Sequence, residues 1–345
     1  MVHTRFLTAY VDLPFLETLF RNKPDPMAPP DDDTPEIWQS VFRFLQRNAR
    51  IVVDADRDTL ASRPLLMRFL FGTGQWTHVD LRPSMAERFV DPDEVRIDNP
   101  YALFLLQRPG IPVKRLQERT GLLFLRYEDL RADWLRLFRQ HNIDVTQEAE
   151  DEFRWSHLCR HGCPLNSIVI ADKYAYNQFV KGTFDQNIGA LLLSMLPDHV
   201  DETVHITLIT DLWRAYEDKN IKPNAIYDCI VDHLSAHRPN LKVEITVSGY
   251  EQGAGHKDRF IITNYAFFDS NHSFAFFRDG GLHRSTLVHH LPFNEDGPKV
   301  ERRLRRLAVI NSNPPQYPRP NDGRPLLLGS GAGLNRLLDS VAHSA

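Results

Sequence analysis

The chain has 345 residues, 42% of them hydrophobic and 25% charged, with a net charge of −4 and a pI near 6.4. That length allows two ordinary domains, and the composition excludes a disordered or fibrous chain. The charge balance excludes a global basic field, so any contact with a polyanion has to come from a local patch.

No apolar run approaches the roughly 18 residues that span a bilayer. The segment from Met1 to Leu13 also lacks a basic region leading into a long apolar stretch and a small-residue cleavage site. The expectation is a cytoplasmic protein without a transmembrane segment. Three cysteines, Cys159, Cys163 and Cys229, are an odd number in a large chain, which suits a reducing compartment better than a disulfide framework. Among the 41 basic residues arginine outnumbers lysine 32 to nine. A GC-rich genome accounts for such a bias, and guanidinium also suits bidentate grip on phosphate.

In chain order, Arg5 to Phe20 is apolar and runs into a proline-rich stretch between Lys23 and Asp33, which reads as a linker or exposed loop. Thr34-Pro35-Glu36-Ile37 then opens a helix, with Ile37, Val41, Phe42 and Leu45 on one face. Ile51 to Asp54 and Gly121 to Leu125 read as short buried strands. Leu65 to Leu70, Tyr101 to Leu106 and Asp129 to Phe138 read as helices. Residues 1–150 are therefore expected to form a small α/β domain of unknown role, and 151–345 a second domain.

From Ser167 the alternation sharpens. Ser167 to Ala171 is strand-like, and a helix follows that carries Phe179, Val180, Phe184, Ile188, Leu191, Leu192 and Met195, in which spacings of three and four recur. Val204 to Ile209 is a second strand, Pro223 to His237 a helix with Ile226, Ile230 and Leu234 inward, and Leu241 to Val247 a third strand. Such alternation implies right-handed crossovers and a largely parallel sheet. After the Gly-rich segment from Gly249 to Gly255, a strand from Arg259 to Phe268 and another from Ser273 to Phe277 are expected to pair as a hairpin. Leu326 to Leu334 reads as strand, glycine packing turn and helix start, with a short helix from Leu334 to Val341.

Ligands of open α/β sheets sit beyond the carboxyl ends of parallel strands. Asp172 and Lys173 follow the first strand, Asp211 the second, and His256-Lys257-Asp258-Arg259 opens the strand after the Gly-rich loop. Together they outline one polar pocket. Asp172 and Asp211 fit helix capping equally well, and Asp258 with Arg259 fits a structural ion pair.

The run Gly255-His256-Lys257-Asp258-Arg259-Phe260-Ile261-Ile262-Thr263-Asn264, after this strand and helix order, resembles the phospholipase D-like superfamily. More narrowly, it is similar to the phospholipase D-like domain at the C-terminus of certain MIT-domain proteins. The resemblance covers about 167–277 and implies a mixed sheet flanked by helices, preceded in this chain by the small α/β domain read above. For the superfamily it implies a histidine that attacks phosphorus, a second histidine that protonates the leaving oxygen, and Lys and Asn on the non-bridging oxygens. Single-motif members assemble the two histidines by dimerising. On that reading His256, Arg259 and Asn271 are the catalytic candidates, with Lys257, Asp258, Lys173, Asp172 and Asp211 around the phosphate. The superfamily has Lys two residues and Asp seven residues after the nucleophile, where this chain has Asp258 and Thr263.

The resemblance implies a metal-independent phosphodiesterase or nuclease, or a binding module, acting on nucleic acid as a homodimer without a cofactor. By analogy with isolated domains of this kind, it suggests a prokaryotic defence effector or recognition subunit. The narrower group implies a non-catalytic dimeric adaptor that binds a protein partner or an acidic lipid headgroup.

Other features have plainer expectations. His157, Cys159, His161 and Cys163 offer four zinc ligands within seven residues, too dense for one tetrahedral site using all four. Ordinary thiols are expected, and no metal site is assigned. Asp12, Asp54, Asp56, Glu128 and Asp129 stand near the ends of apolar runs, where hard cations find oxygen ligands. They match no spacing motif and are expected to be solvated loop carboxylates. Arg302, Arg303, Arg305 and Arg306 wrap around a helix, either solvated or in contact with phosphate.

Overall fold

The computed structural model describes residues 6–25, 34–72, 79–83, 85–147, 152–219, 221–250, 257–283, 285–313, 327–329 and 334–342. The chain divides into two compact units, one of Met1–Arg139 with Pro292–Pro298 and one of Gln140–Leu291 with Lys299–Ala345. Both are mixed α/β, as expected. No helix among the described residues is long and apolar enough to cross a membrane.

The first unit is built on five parallel strands: β1 (Leu7–Asp12), β2 (Ala49–Asp54), β3 (Val79–Leu81), β4 (Ala102–Leu105) and β5 (Leu123–Leu125). Their order is β3-β2-β1-β4-β5. Strands β1, β2, β4 and β5 are buried almost throughout, as expected of a parallel sheet covered on both faces. The helix expected over Tyr101 to Leu106 is instead β4. Its four residues are all buried, and a short run that is apolar on every side carries no periodicity to separate strand from helix. The chain reverses direction across the sheet between β1 and β4, the position at which such sheets leave a crevice.

The second unit holds an eight-stranded mixed sheet. Its strands are β6 (His141–Val145), β7 (Ser167–Asp172), β8 (Val204–Thr210), β9 (Val243–Gly249), β10 (Arg259–Ile262) and β11 (Ala266–Ser270). The short β12 (Phe277–Arg278) and β13 (Gly281–Leu282) pair with each other, apart from this sheet. Then come β14 (Thr286–Pro292) and β15 (Leu327–Gly329), giving the order β15-β9-β8-β7-β10-β11-β14-β6. Strands β7, β8 and β9 are parallel, and the second of the two helices between the last two spans Pro223–His237 as read from the sequence. Ile226, Ile230 and Leu234 on its inner face are all buried.

Three expectations shift. The boundary falls at Arg139 instead of near 150, because β6 pairs with β14 and so belongs to the second sheet. The helix expected to follow β7 is broken. Tyr176–Val180 ends before Gly182, which takes a left-handed φ of 63° that side chains other than glycine adopt at a cost, and the chain turns helical again only through Asp185–Gly189 and Ala190–Met195. The long strand expected over Arg259 to Phe268 is itself the hairpin, β10 pairing with β11. Thr263 makes the turn, its amide donating to the Ala266 carbonyl at 2.9 Å and its Oγ1 accepting from the Ala266 amide at 3.2 Å. Ser273 to Phe276 is therefore not the partner strand.

At the amino ends of the parallel strands, buried Asn335 bridges the sheet to the last helix, Arg336–Ala342. It donates to Thr207 Oγ1 at 2.9 Å and accepts from Ser167 Oγ at 2.9 Å. Beside it His205 Nδ1 accepts the Arg336 amide at 3.1 Å. Burial, and then the Arg336 guanidinium, push the His205 pKa from 6.5 down to about 4. A depressed histidine contributes stability above its unfolded pKa that is lost as pH falls toward the folded one. Thermal melts of the wild type are expected to lose stability between pH 6.5 and about 4, and His205→Asn, which keeps an acceptor, to show a shallower slope in that window. Parallel slopes would contradict this account of His205.

Candidate functional site

The register of the second sheet sets the site. Strand β10 runs antiparallel to β7 with Arg259 opposite Asp172, so the start of one strand meets the carboxyl end of the other. His256 lies outside the described residues, and Lys257, exposed, is the first described residue after that gap.

Asp172 is fully buried. It accepts hydrogen bonds from Ser273 Oγ at 2.6 Å, the Phe274 amide at 2.8 Å and the Tyr174 amide at 3.0 Å. Burial raises its pKa, opposed by the Ser273 hydroxyl, the two amides and the Arg259 charge. It therefore clamps the segment after β11 to the end of β7. Asp211 caps the helix Leu212–Lys219 by accepting the Arg214 amide at 3.0 Å, and Lys173 Nζ lies 4.0 Å from its carboxylate.

Asp258 is nearly as buried, and its partners come from the long helix Phe293–Ser312. Arg303 lies 3.5 Å from one carboxylate oxygen, Arg306 pairs with the other, and the buried Tyr250 hydroxyl donates to it at 3.1 Å. Burial first, and then the Asp258 charge, push the Tyr250 phenol up, so it stays protonated and donates. Two of the four clustered arginines thus have a defined carboxylate, and Arg305 pairs with Glu301 at 2.7 Å on its own helix. The ion pair of Asp258 is made with Arg303 and Arg306.

Arg259 is turned the other way. Its guanidinium lies over the Tyr174 ring at 5.3 Å and donates to the carbonyl oxygen of Asn271, which joins the site through its backbone. It lines a cleft of about 290 Å³ together with Lys181, Arg278, His272 and His283, against Tyr174 and Phe277. No Asp or Glu is among the described residues that line it. Of the described candidate residues, Arg259 lines this cleft and Asn271 meets it through its carbonyl oxygen, while Asp172, Lys173, Asp211 and Asp258 are not part of the lining and are engaged by other protein groups. Lys181, Arg278 and His283 were missed. Lys181 caps a short helix, Arg278 lies in the two-residue β12 beside Asp279 and His283 follows β13, so they share no local pattern, and the fold brings them together at the cleft.

In the first unit Asp56 and Glu128 are exposed, as expected of loop carboxylates, whereas Asp12 and Asp54 are not. Asp12 and Asp54 are buried in register at the carboxyl ends of β1 and β2. Asp12 accepts the Phe15, Gln107 and Arg108 amides, each at 2.8 Å, and so ties the segment after β4 to the end of β1. Burial raises its pKa against those three amides. Asp54 accepts the Met85 amide at 2.7 Å and faces the Arg108 guanidinium at 3.2 Å. Asp56 caps Arg57–Ala61 through the Thr59 amide, Asp129 accepts the Arg126 amide, and Glu128 accepts from Gln107. These carboxylates organise loops through protein donors.

Removing the Asp258 carboxylate leaves two arginines that are only about a third exposed. Asp258→Ala is expected to cost about 2–3 kcal/mol in urea unfolding, toward the lower end for a broken buried pair because the arginines regain water. A change within experimental error would show that the helix is held by its apolar face alone. Searches against protein-family models and curated proteins found no match to this chain.

Proposed function

We propose that the second unit binds a phosphodiester of nucleic acid in the cleft beside Arg259. The observation that carries this reading is the sorting of charge. In a chain of net charge −4, Arg259, Lys181, Arg278, His272 and His283 line one cleft from which carboxylates are missing among the described residues. Guanidinium and ammonium groups supply charge and donors for phosphate oxygens. Tyr174 and Phe277 add aromatic faces on which a base stacks, which favours a nucleic-acid strand over a lipid headgroup.

The resemblance to phospholipase D-like domains rests on the same strand, since Arg259 follows His256 and Asp258 at the opening of β10. In the superfamily pattern the second residue after the nucleophile is a lysine aimed at phosphate. Here it is Asp258, held by Arg303 and Arg306, and the residue seven positions on, Thr263, is buried in the β10–β11 turn. These two departures favour binding over turnover. Single-motif members of the superfamily bring two histidines together by dimerising, and His272 in the cleft supplies a histidine within one chain.

Anisotropy titration with short labelled single-stranded DNA at low salt tests the binding. Arg259→Ala and Lys181→Ala are each expected to weaken it by about tenfold and to flatten its salt dependence. Unchanged affinity in both variants would remove the cleft from the function. Hydrolysis of bis-p-nitrophenyl phosphate in EDTA tests turnover: equal background rates for wild type and His256→Ala are expected for a binding module. A rate in the wild type that is lost in the variant would make it a phosphodiesterase.

A further inference from the structure

We propose that His141, His161 and His290 form a binding site for a borderline-soft divalent metal ion, zinc in the first place. The site belongs to the second unit and uses none of the residues of the Arg259 cleft.

Two of the ligands come from a strand pair. In the antiparallel register of β6 and β14, His141 stands directly opposite His290, and opposite side chains of such a pair project from the same face of the sheet. Alternation puts the preceding residue on the other face, where His289 Nδ1 lies 2.8 Å from Asn142 Oδ1. The third ligand comes from the helix Ser156–Gly162, whose His161 ring centroid lies 4.2 Å from that of His141 and 5.1 Å from that of His290. The His141 and His290 centroids are 5.6 Å apart.

One nitrogen from each ring falls within 4.8 Å of the other two. Zinc–imidazole bonds of about 2.0–2.1 Å in a tetrahedral set place the nitrogens about 3.3 Å from one another. The trio therefore closes on an ion by inward movements of at most about 1.5 Å, within reach of side-chain rotation. His290 is fully buried and its ring is backed by Phe268 at 5.3 Å, which fixes one ligand in place. His141 and His161 are half-buried, leaving a path for the ion and room for a fourth ligand such as water.

The donor set selects the class of ion. Three imidazoles without a carboxylate in the cluster suit zinc, nickel, copper or iron and disfavour magnesium and calcium, which take oxygen. The sequence drew attention to His161 as part of His157, Cys159, His161 and Cys163. Of those four, His161 alone enters the three-donor cluster found among the described residues. Cys159 and Cys163 lie with their sulfurs 3.3 Å apart, Cys163 also donating to the Met195 carbonyl. His141 and His290 lie some 20 and 130 residues from that motif, so no local spacing joins them to it.

The test uses the full chain stripped with EDTA and titrated with zinc against a chromogenic chelator. Wild type is expected to take up one equivalent per chain with a rise in melting temperature. His161→Ala and, independently, His141→Ala should each weaken zinc at least about tenfold while circular dichroism stays that of the wild type. The double variant Cys159→Ser/Cys163→Ser should bind as the wild type does. Absence of stoichiometric zinc in the wild type, or wild-type affinity in a histidine variant that retains its fold, would overturn the site. Loss of zinc in the cysteine variant would move it to the thiols and overturn it equally. Because Arg259→Ala leaves these ligands untouched, DNA binding and zinc binding fail separately.

Discussion

One buried charge organises the second unit. Asp172 ends β7, the strand with a parallel neighbour on one side and an antiparallel neighbour on the other. A carboxylate taken out of water there is costly unless donors surround it. The Ser273 hydroxyl, the Phe274 and Tyr174 amides and the Arg259 charge meet that demand. Satisfying them fixes the path of the chain leaving β7 and of the segment after β11, and between those two segments the cleft opens. The cleft is thus shaped by an acid that does not face it.

The same logic applies at Asp258, with the direction of dependence reversed. Its carboxylate ties the long helix to the beginning of β10 through Arg303 and Arg306. Neighbouring Arg259, one residue on and therefore on the opposite face of the strand, is left to the cleft. Alternation along a strand thereby separates the structural ion pairs from the basic lining, and a chain with net negative charge acquires a locally positive recess.

How much of this is legible in sequence depends on distance along the chain. The helix Pro223–His237 and the strands beginning at Ser167 and Val204 carry strong periodicity and are read almost to the residue, because their signals are local. Tyr101 to Leu106 failed as a helix because full burial erases the period. The β10–β11 hairpin was hidden because Thr263-Asn264-Tyr265 interrupts an apolar run without glycine or proline. At the site, the placement of Asp172 and Arg259 followed from their positions at strand ends, whereas Lys181, Arg278 and His283 carry no pattern. The burial of Asp12 and Asp54 was likewise invisible, since their hydrogen-bond donors at 85, 107 and 108 come from remote loops.

The pairing of β6 with β14 joins residues 141–145 to 286–290, whereas β7, β8 and β9 lie within one contiguous stretch. A chain emerging from the ribosome can assemble that central parallel core from nearby segments, at a modest cost in loop closure. Strand β6 must wait until nearly 150 further residues have been made. During that interval its Ile143 and Val145, both buried in the finished sheet, have no strand to cover them. This edge strand is thus synthesised first and can pair only once β14 has been made, and its exposure until then leaves the chain open to association with other copies.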